Sequence, residues 1–210
     1  MFESYNLEAS DNQLESIDLS KNPMLSSLSI HSNKLSSLDI SNNPRLQLVY
    51  ISDNKLSTLD ISNNFNIDDL RIDNNNFTEI DLTGHDKIRT LTISQNQISS
   101  LDLTNTPDLY WLDVTMNDFS ELDVSCLPNL YTLYCGQNKL TSLDLRNNTE
   151  LTRVGCYSNQ LTSLDLSRNT KLRTLACEEN QITFLDVGDC ADLIELQTDK
   201  NVTISKNMLN

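Results

Sequence analysis

An apolar column recurs every twenty-one residues along the whole chain. Leu7, Leu28, Val49, Leu70, Leu91, Leu112, Leu133, Val154, Leu175 and Leu196 stand in one register, with no insertion between them. Asn12, Asn33, Asn54, Asn75, Asn96, Asn117, Asn138, Asn159, Asn180 and Asn201 form a second column. A fixed period of this length describes stacked coils, each of which buries its apolar face only against the next. Two hundred and ten residues would allow one domain or two, but the unbroken period predicts a single solenoid over residues 1–210.

Charge narrows the partners. The net charge is −15, and nucleic acid or anionic membrane would require a basic footprint. No apolar run is long enough to span a bilayer, so membrane insertion is not expected. The opening MFESYNLEAS lacks the basic and apolar regions of a signal peptide. Together with a thiol-containing core this favours a reducing, cytoplasmic setting if the chain is complete, and a cell-surface or secreted one if it is a fragment. The four prolines, Pro23, Pro44, Pro107 and Pro128, share one phase, which must be a turn whose backbone N–H the ladder does not need.

One coil, Leu151 to Lys171, reads LTRVGCYSNQL followed by TSLDLSRNTK. Leu161, Leu164, Leu166 and Asn169 repeat the spacings of Leu151, Val154, Cys156 and Asn159, so each coil nests two half-units of eleven and ten residues. Val154 inward, Gly155 outward and Cys156 inward is a strand period. T-S-L-D-L-S has no 3.6-residue stripe and is too short for a stable helix. The expectation is about ten coils bearing parallel strands, with few or no helices.

These motifs resemble the leucine-rich-repeat family over residues 4 to 201, and more narrowly its nested ten-plus-eleven (IRREKO-like) type from bacteria and protists. The resemblance implies a right-handed arc with a parallel sheet on the concave face and extended segments on the convex side. It also implies a protein-binding module without catalysis. The match weakens at the ends. Ser4 stands where Leu25 and Leu46 stand later, and residues 202–210 are expected to form an irregular tail or partial cap.

The outward positions of the first-half strand carry the functional information. All six tyrosines lie on or beside them, together with Trp111, the only tryptophan. Phe77 and Phe119 instead take an inward column. The rings cluster: Tyr110 and Tyr131 share a phase in adjacent coils, Tyr134 lies between Asp113 and Gly155, and Tyr157 between Gly136 and Glu178. The glycines either open shallow pockets or let the rings lie flat. Met116 and Arg153 border the group. Rigid rings on a preformed sheet are the material of interface hot spots; alternatively they stack along the sheet and shield its backbone. Tyr110, Trp111, Asp113, Met116, Tyr131, Tyr134, Arg153 and Tyr157 are therefore the candidate partner-binding set. Asp68, Asp69, Arg71 and Asp73 form a charged margin on one side. Stacked rings also suit a sugar, so a glycan-binding segment is the alternative to a protein partner, and a structural spacer of a longer surface protein is a third reading.

Other columns read as structural. Asn33, Asn54, Asn75, Asn96, Asn117, Asn138, Asn159 and Asn180 are expected to turn their amides inward at a bend and satisfy its backbone. Asp39, Asp60, Asp81, Asp102, Asp123, Asp144 and Asp165, with Asp18 and Asp186, form a ladder on the opposite side. Like charges one strand apart should raise one another's pKa. Hydrogen bonds from backbone N–H groups or from Ser20, Ser125 and Ser167 are the preferred role for them. Calcium is disfavoured, since it needs six to eight oxygens from a looped backbone. Cys135, Cys156 and Cys177 replace isoleucine in one inward column, and five cysteines without C-x-x-C point to neither a disulfide framework nor zinc. His31 and His85 lie on different sides of the unit, and no nucleophile–base set or phosphate loop is present. No metal, cofactor or catalytic residue is predicted.

Overall fold

The structure is a computed structural model and describes residues 5–206. No helix occurs among these residues. Twelve short strands follow one another: β1 (Tyr5–Glu8), β2 (Leu25–Ser29), β3 (Leu48–Tyr50), β4 (Asp69–Arg71), β5 (Thr90–Thr92), β6 (Trp111–Asp113), β7 (Thr132–Tyr134), β8 (Arg153–Gly155), β9 (Thr174–Ala176), β10 (Phe184–Asp186), β11 (Glu195–Gln197) and β12 (Thr203–Ser205). The strands β1 to β9 and β11 form one parallel sheet in chain order, and β10 pairs with β12 in a second. Register follows the sequence period: Val49 pairs with Leu70, Leu70 with Leu91 and Leu112 with Leu133. One bulge interrupts it, between Tyr5 and Asn6.

The period-two alternation explains the sheet. Leu28, Leu70, Leu112 and Leu133 are fully buried, while their neighbours on either side in most coils reach the surface. The second half of each coil closes the core with Leu35, Leu56, Phe77, Ile98, Phe119, Leu140 and Leu161, all fully buried. Thus the two phenylalanines pack inside, where a leucine stands in other coils. Parallel strands lie about 4.8 Å apart, so each core side chain meets its equivalents above and below.

Two bends close each coil. The first has a residue in the left-handed region, from Asp11 to Glu179 in nine successive coils, with φ between 48° and 56° and no glycine among them. This geometry turns the residue's N–H along the stack: Asn74 donates to Ser94 O and Met116 to Gly136 O. The following asparagine locks the bend. Nδ2 of Asn75 faces the carbonyls of Ile51, Ile72 and Asp73 at 3.1–3.2 Å, and its Oδ1 accepts from Leu56 N at 2.9 Å. Asn33, Asn54, Asn96, Asn117, Asn138 and Asn159 make the same set. Non-glycine residues tolerate positive φ here because the asparagine and the stacked amides hold the bend.

At the second bend, Leu25 N donates to Asn22 O and Leu46 N to Asn43 O. Pro23 and Pro44 follow the accepting residue, where a fixed φ suits a turn and no N–H is required. A second buried polar ladder runs through this bend. Asn43, Asn64, Asn148 and Asn169 each donate to two carbonyls of the preceding coil. His85 and Thr106 occupy the same phase and also contact carbonyls. Near the end, Thr203–Ser205 does not leave the solenoid. It pairs with β10 nineteen residues earlier in the chain, Phe184 with Thr203, so the last coil is two residues short. Residues 207–210 of the expected tail, and Ser4, lie outside the described residues.

Candidate partner-binding surface

The surface is built on the outward positions of β4 to β8. Tyr110 and Tyr131 enter adjacent strands at equivalent phases, and their rings stack at 4.8 Å with 9° between planes. Trp111 pairs with Thr132, so the next ring on its side is Tyr134, met edge-on at 5.8 Å and 70°. The Arg153 guanidinium lies 5.8 Å from the Tyr131 ring. The glycines do not open pockets. The Tyr157 ring packs on Gly136 and the Tyr134 ring on Gly155, at distances that leave no room for a Cβ on either glycine. Seven of the eight candidate residues thus form one neighbourhood. Met116 stands apart from the strands on the left-handed bend, and is exposed.

Beside the rings runs a trough of about 360 Å³. Its floor is Thr90, Thr92 and Ser94 of the β5 coil. Arg71 and Asp73 wall it on the β4 side, and Tyr110, Trp111 and Asp113 on the β6 side. Short side chains between taller ones on flanking strands produce the hollow. Asp73 is held by four hydrogen bonds: Ser94 N and Ser94 Oγ donate to Oδ1, while Ser52 Oγ and Thr92 Oγ1 donate to Oδ2. Arg71 is already paired. Its Nε and Nη2 bind Asp69 at 2.9 Å each, and the guanidinium covers the Tyr50 ring at 4.7 Å. Next to it, Arg89 forks onto Asp68.

Asp113 is the electrostatic exception. Oδ1 accepts from Thr115 N at 2.9 Å, and the Thr115 hydroxyl also donates to the carboxylate. Burial among the side chains of this face pushes its carboxyl above the usual range. Burial likewise raises the Tyr157 phenol, helped by the nearby carboxylates Asp113 and Glu178.

Sequence reasoning placed the rings and Asp113 but missed the trough. Its signal was present: the short run Thr90, Thr92, Ser94 sits in register between Arg71/Asp73 and Trp111/Asp113.

The opposite side differs from the expected repulsion. Asp18, Asp39, Asp60, Asp81, Asp102, Asp123, Asp144 and Asp165 all lie below the usual carboxylate range rather than above it. In each, the side chain and the amide two residues ahead donate to the carboxylate, as Ser62 does to Asp60 and Thr104 to Asp102. Local hydrogen bonds outweigh the Coulomb repulsion between coils because these carboxylates are exposed and water screens the charges. No group of three or more histidine, cysteine, aspartate or glutamate side chains is placed to hold a metal ion among the described residues. All five cysteines are free, and Cys135, Cys156 and Cys177 stack inward in successive coils.

Solved structures share this architecture. The functional domain of InlJ from Listeria monocytogenes, which includes a cysteine ladder, matches with a TM-score of 0.92 and 32% identity over 94% of this chain and 45% of that one. A leucine-rich-repeat protein of Leptospira interrogans gives 0.89 and 23% over 95% and 55%. Internalin C2 of Listeria monocytogenes gives 0.74 and 22% over 86% and 80%. The chain spans about half the length of the first two. No protein-family model and no curated sequence matches it.

Proposed function

The chain belongs to the leucine-rich-repeat family, and from that premise we propose that it is a non-enzymatic interaction module. A protein partner docks on the outer face of the main sheet, centred on Tyr110, Trp111, Tyr131, Tyr134 and Tyr157. One observation carries this reading. Tyr110 is held by its stack on Tyr131, and Tyr134 and Tyr157 by close packing on Gly155 and Gly136, yet Tyr110 keeps 43% of its surface exposed to solvent. Large side chains already ordered lose little conformational entropy on binding, which is what distinguishes an anchor from a loose surface ring. Arg153 above Tyr131 and the ion pairs Arg71–Asp69 and Arg89–Asp68 supply a polar rim.

The test compares cross-linked partners of the wild-type protein, a Trp111→Ala/Tyr134→Ala double variant, and an Asp60→Asn control on the opposite side. The double variant is expected to lose a specific partner that the control keeps, at closely similar melting temperature. Identical capture by all three proteins would refute the reading, as would a loss of folding that accounts for the loss of binding.

A further inference from the structure

The trough over β5 has a chemical bias that the ring cluster alone does not. Two of its three floor hydroxyls are already committed as donors: Thr92 Oγ1 and Ser94 Oγ both give their protons to Asp73. What they turn to the trough is lone pairs. Asp113 adds a second carboxylate, whose hydrogen bonds come from the amide and hydroxyl of Thr115. Tyr110 and Trp111 add ring faces, which are negative at their centres. The one cation in the lining, Arg71, has two fork nitrogens bound to Asp69 and its plane over Tyr50. The hollow thus carries two carboxylates and two aromatic rings against one guanidinium that is already paired.

We infer that this trough seats one basic side chain of the partner, a lysine or arginine, with its cation between Asp113, Asp73 and the Trp111 ring. The inference rests on the docking reading above and names the chemistry that reading leaves open. Width agrees with it. The walls stand on strands two apart, about 10 Å at ordinary strand spacing, which admits an alkyl stem and its head group. Hydrogen bonds fix Asp73, and Tyr134 braces Trp111 from the β7 side, so the site is organised before anything enters. The net charge of −15 draws a basic partner from a distance. Burial already strains the Asp113 carboxylate, and a cation beside it would relieve that cost.

Trp111 reports on the site by itself, being the only tryptophan. The protein is titrated with Nα-acetyl-lysine methylamide and with Nα-acetyl-norleucine methylamide, which keeps the stem and lacks the ammonium, while tryptophan fluorescence is followed. A saturable change with the lysine probe, at least about tenfold weaker with norleucine, is expected. Asp113→Asn should weaken the lysine probe by about tenfold, the scale of one charge-assisted hydrogen bond. Arg71→Gln should tighten it by about threefold, because a competing positive charge leaves the wall. Misfolding cannot mimic a gain in affinity. Equal responses to both probes, no response in the tens of millimolar, or unchanged affinity in both variants would overturn the inference. If the lysine probe fails while Trp111→Ala/Tyr134→Ala still abolishes partner capture, the docking face stands and only the cation site falls.

Discussion

The ring of Tyr134 lies directly on Gly155 of the neighbouring strand: a Cβ there would come within 2.8 Å of Tyr134 Cδ1. The backbone of Gly155 is not in the left-handed region, so the glycine serves the ring and not a turn. Gly155→Ala is expected to tilt Tyr134 and, through their edge contact, Trp111. The cost should be about 1–3 kcal/mol, the range for overpacking. Urea denaturation and the wavelength of Trp111 emission check it. An unchanged midpoint with unchanged emission would show that the ring has room to spare.

Asn75 ties its bend to the preceding coil through Leu56 N and Ile51 O. Asn75→Ala removes four hydrogen bonds and leaves the Leu56 amide without its acceptor, while the carbonyls of Ile51, Ile72 and Asp73 each keep one other donor, and a loss of about 1–3 kcal/mol is expected. Asn75→Asp should be worse, since a carboxylate cannot donate to those carbonyls and would bring an unpaired charge into the core. Chemical denaturation of both variants provides the ordering. A milder effect for aspartate would contradict the hydrogen-bond assignment.

Acid should destabilise the fold from its opposite side. The ladder aspartates have folded-state pKa values below their unfolded ones, Asp144 reaching about 2. Such groups contribute stability above the unfolded value, about 3.9 for aspartate, and lose it as pH falls through the folded value. Asp113 has the reverse sign. Its raised pKa means the folded state binds the proton more tightly, so it opposes folding when ionised and ceases to do so as pH falls. Melting temperature against pH should therefore fall in acid, less steeply for an Asp60→Ala/Asp102→Ala variant. Asp113→Asn should stabilise at neutral pH, with the gain shrinking in acid.

The thiols should be sorted by burial. Burial pushes Cys135 up to about 12 and Cys177 up to about 11, and the Cys156 thiol moves the same way. The thiolate is the nucleophile, so these thiols should resist a disulfide reagent until the protein unfolds. Cys126 alone among the five is only partly buried and should react first. Thiol counting in buffer and in denaturant, with Cys126→Ser as control, gives the answer. Fast reaction of the remaining cysteines in the native state would mean that the core opens.

Much of this architecture was legible in one dimension. A strict twenty-one-residue period puts equivalent positions side by side, which is why Tyr110 and Tyr131 were paired and why Phe77 and Phe119 were assigned inward. The left-handed bends were not legible, since Met116 and Gln137 occupy a conformation usually marked by glycine or asparagine, and the bend is imposed by the neighbouring coils. The hydrogen-bonded role of the aspartate ladder is readable from the repeat, but the direction of its pKa is not: repulsion between coils is visible in a column, whereas its weight against the donors two residues ahead is decided only once both are placed.

Periodicity and the need to bury apolar surface are enough to settle the solenoid, its register and which residues share a side. Contacts between coils settle what neighbours do to one another: that Tyr134 packs on Gly155, that Thr92 and Ser94 turn their hydroxyls to Asp73, and that Asp69 pairs with Arg71 at the trough wall. The reason is physical. Period settles where a Cα stands, but rotamers and hydrogen-bond direction depend on every group within reach, and those groups come from several coils at once.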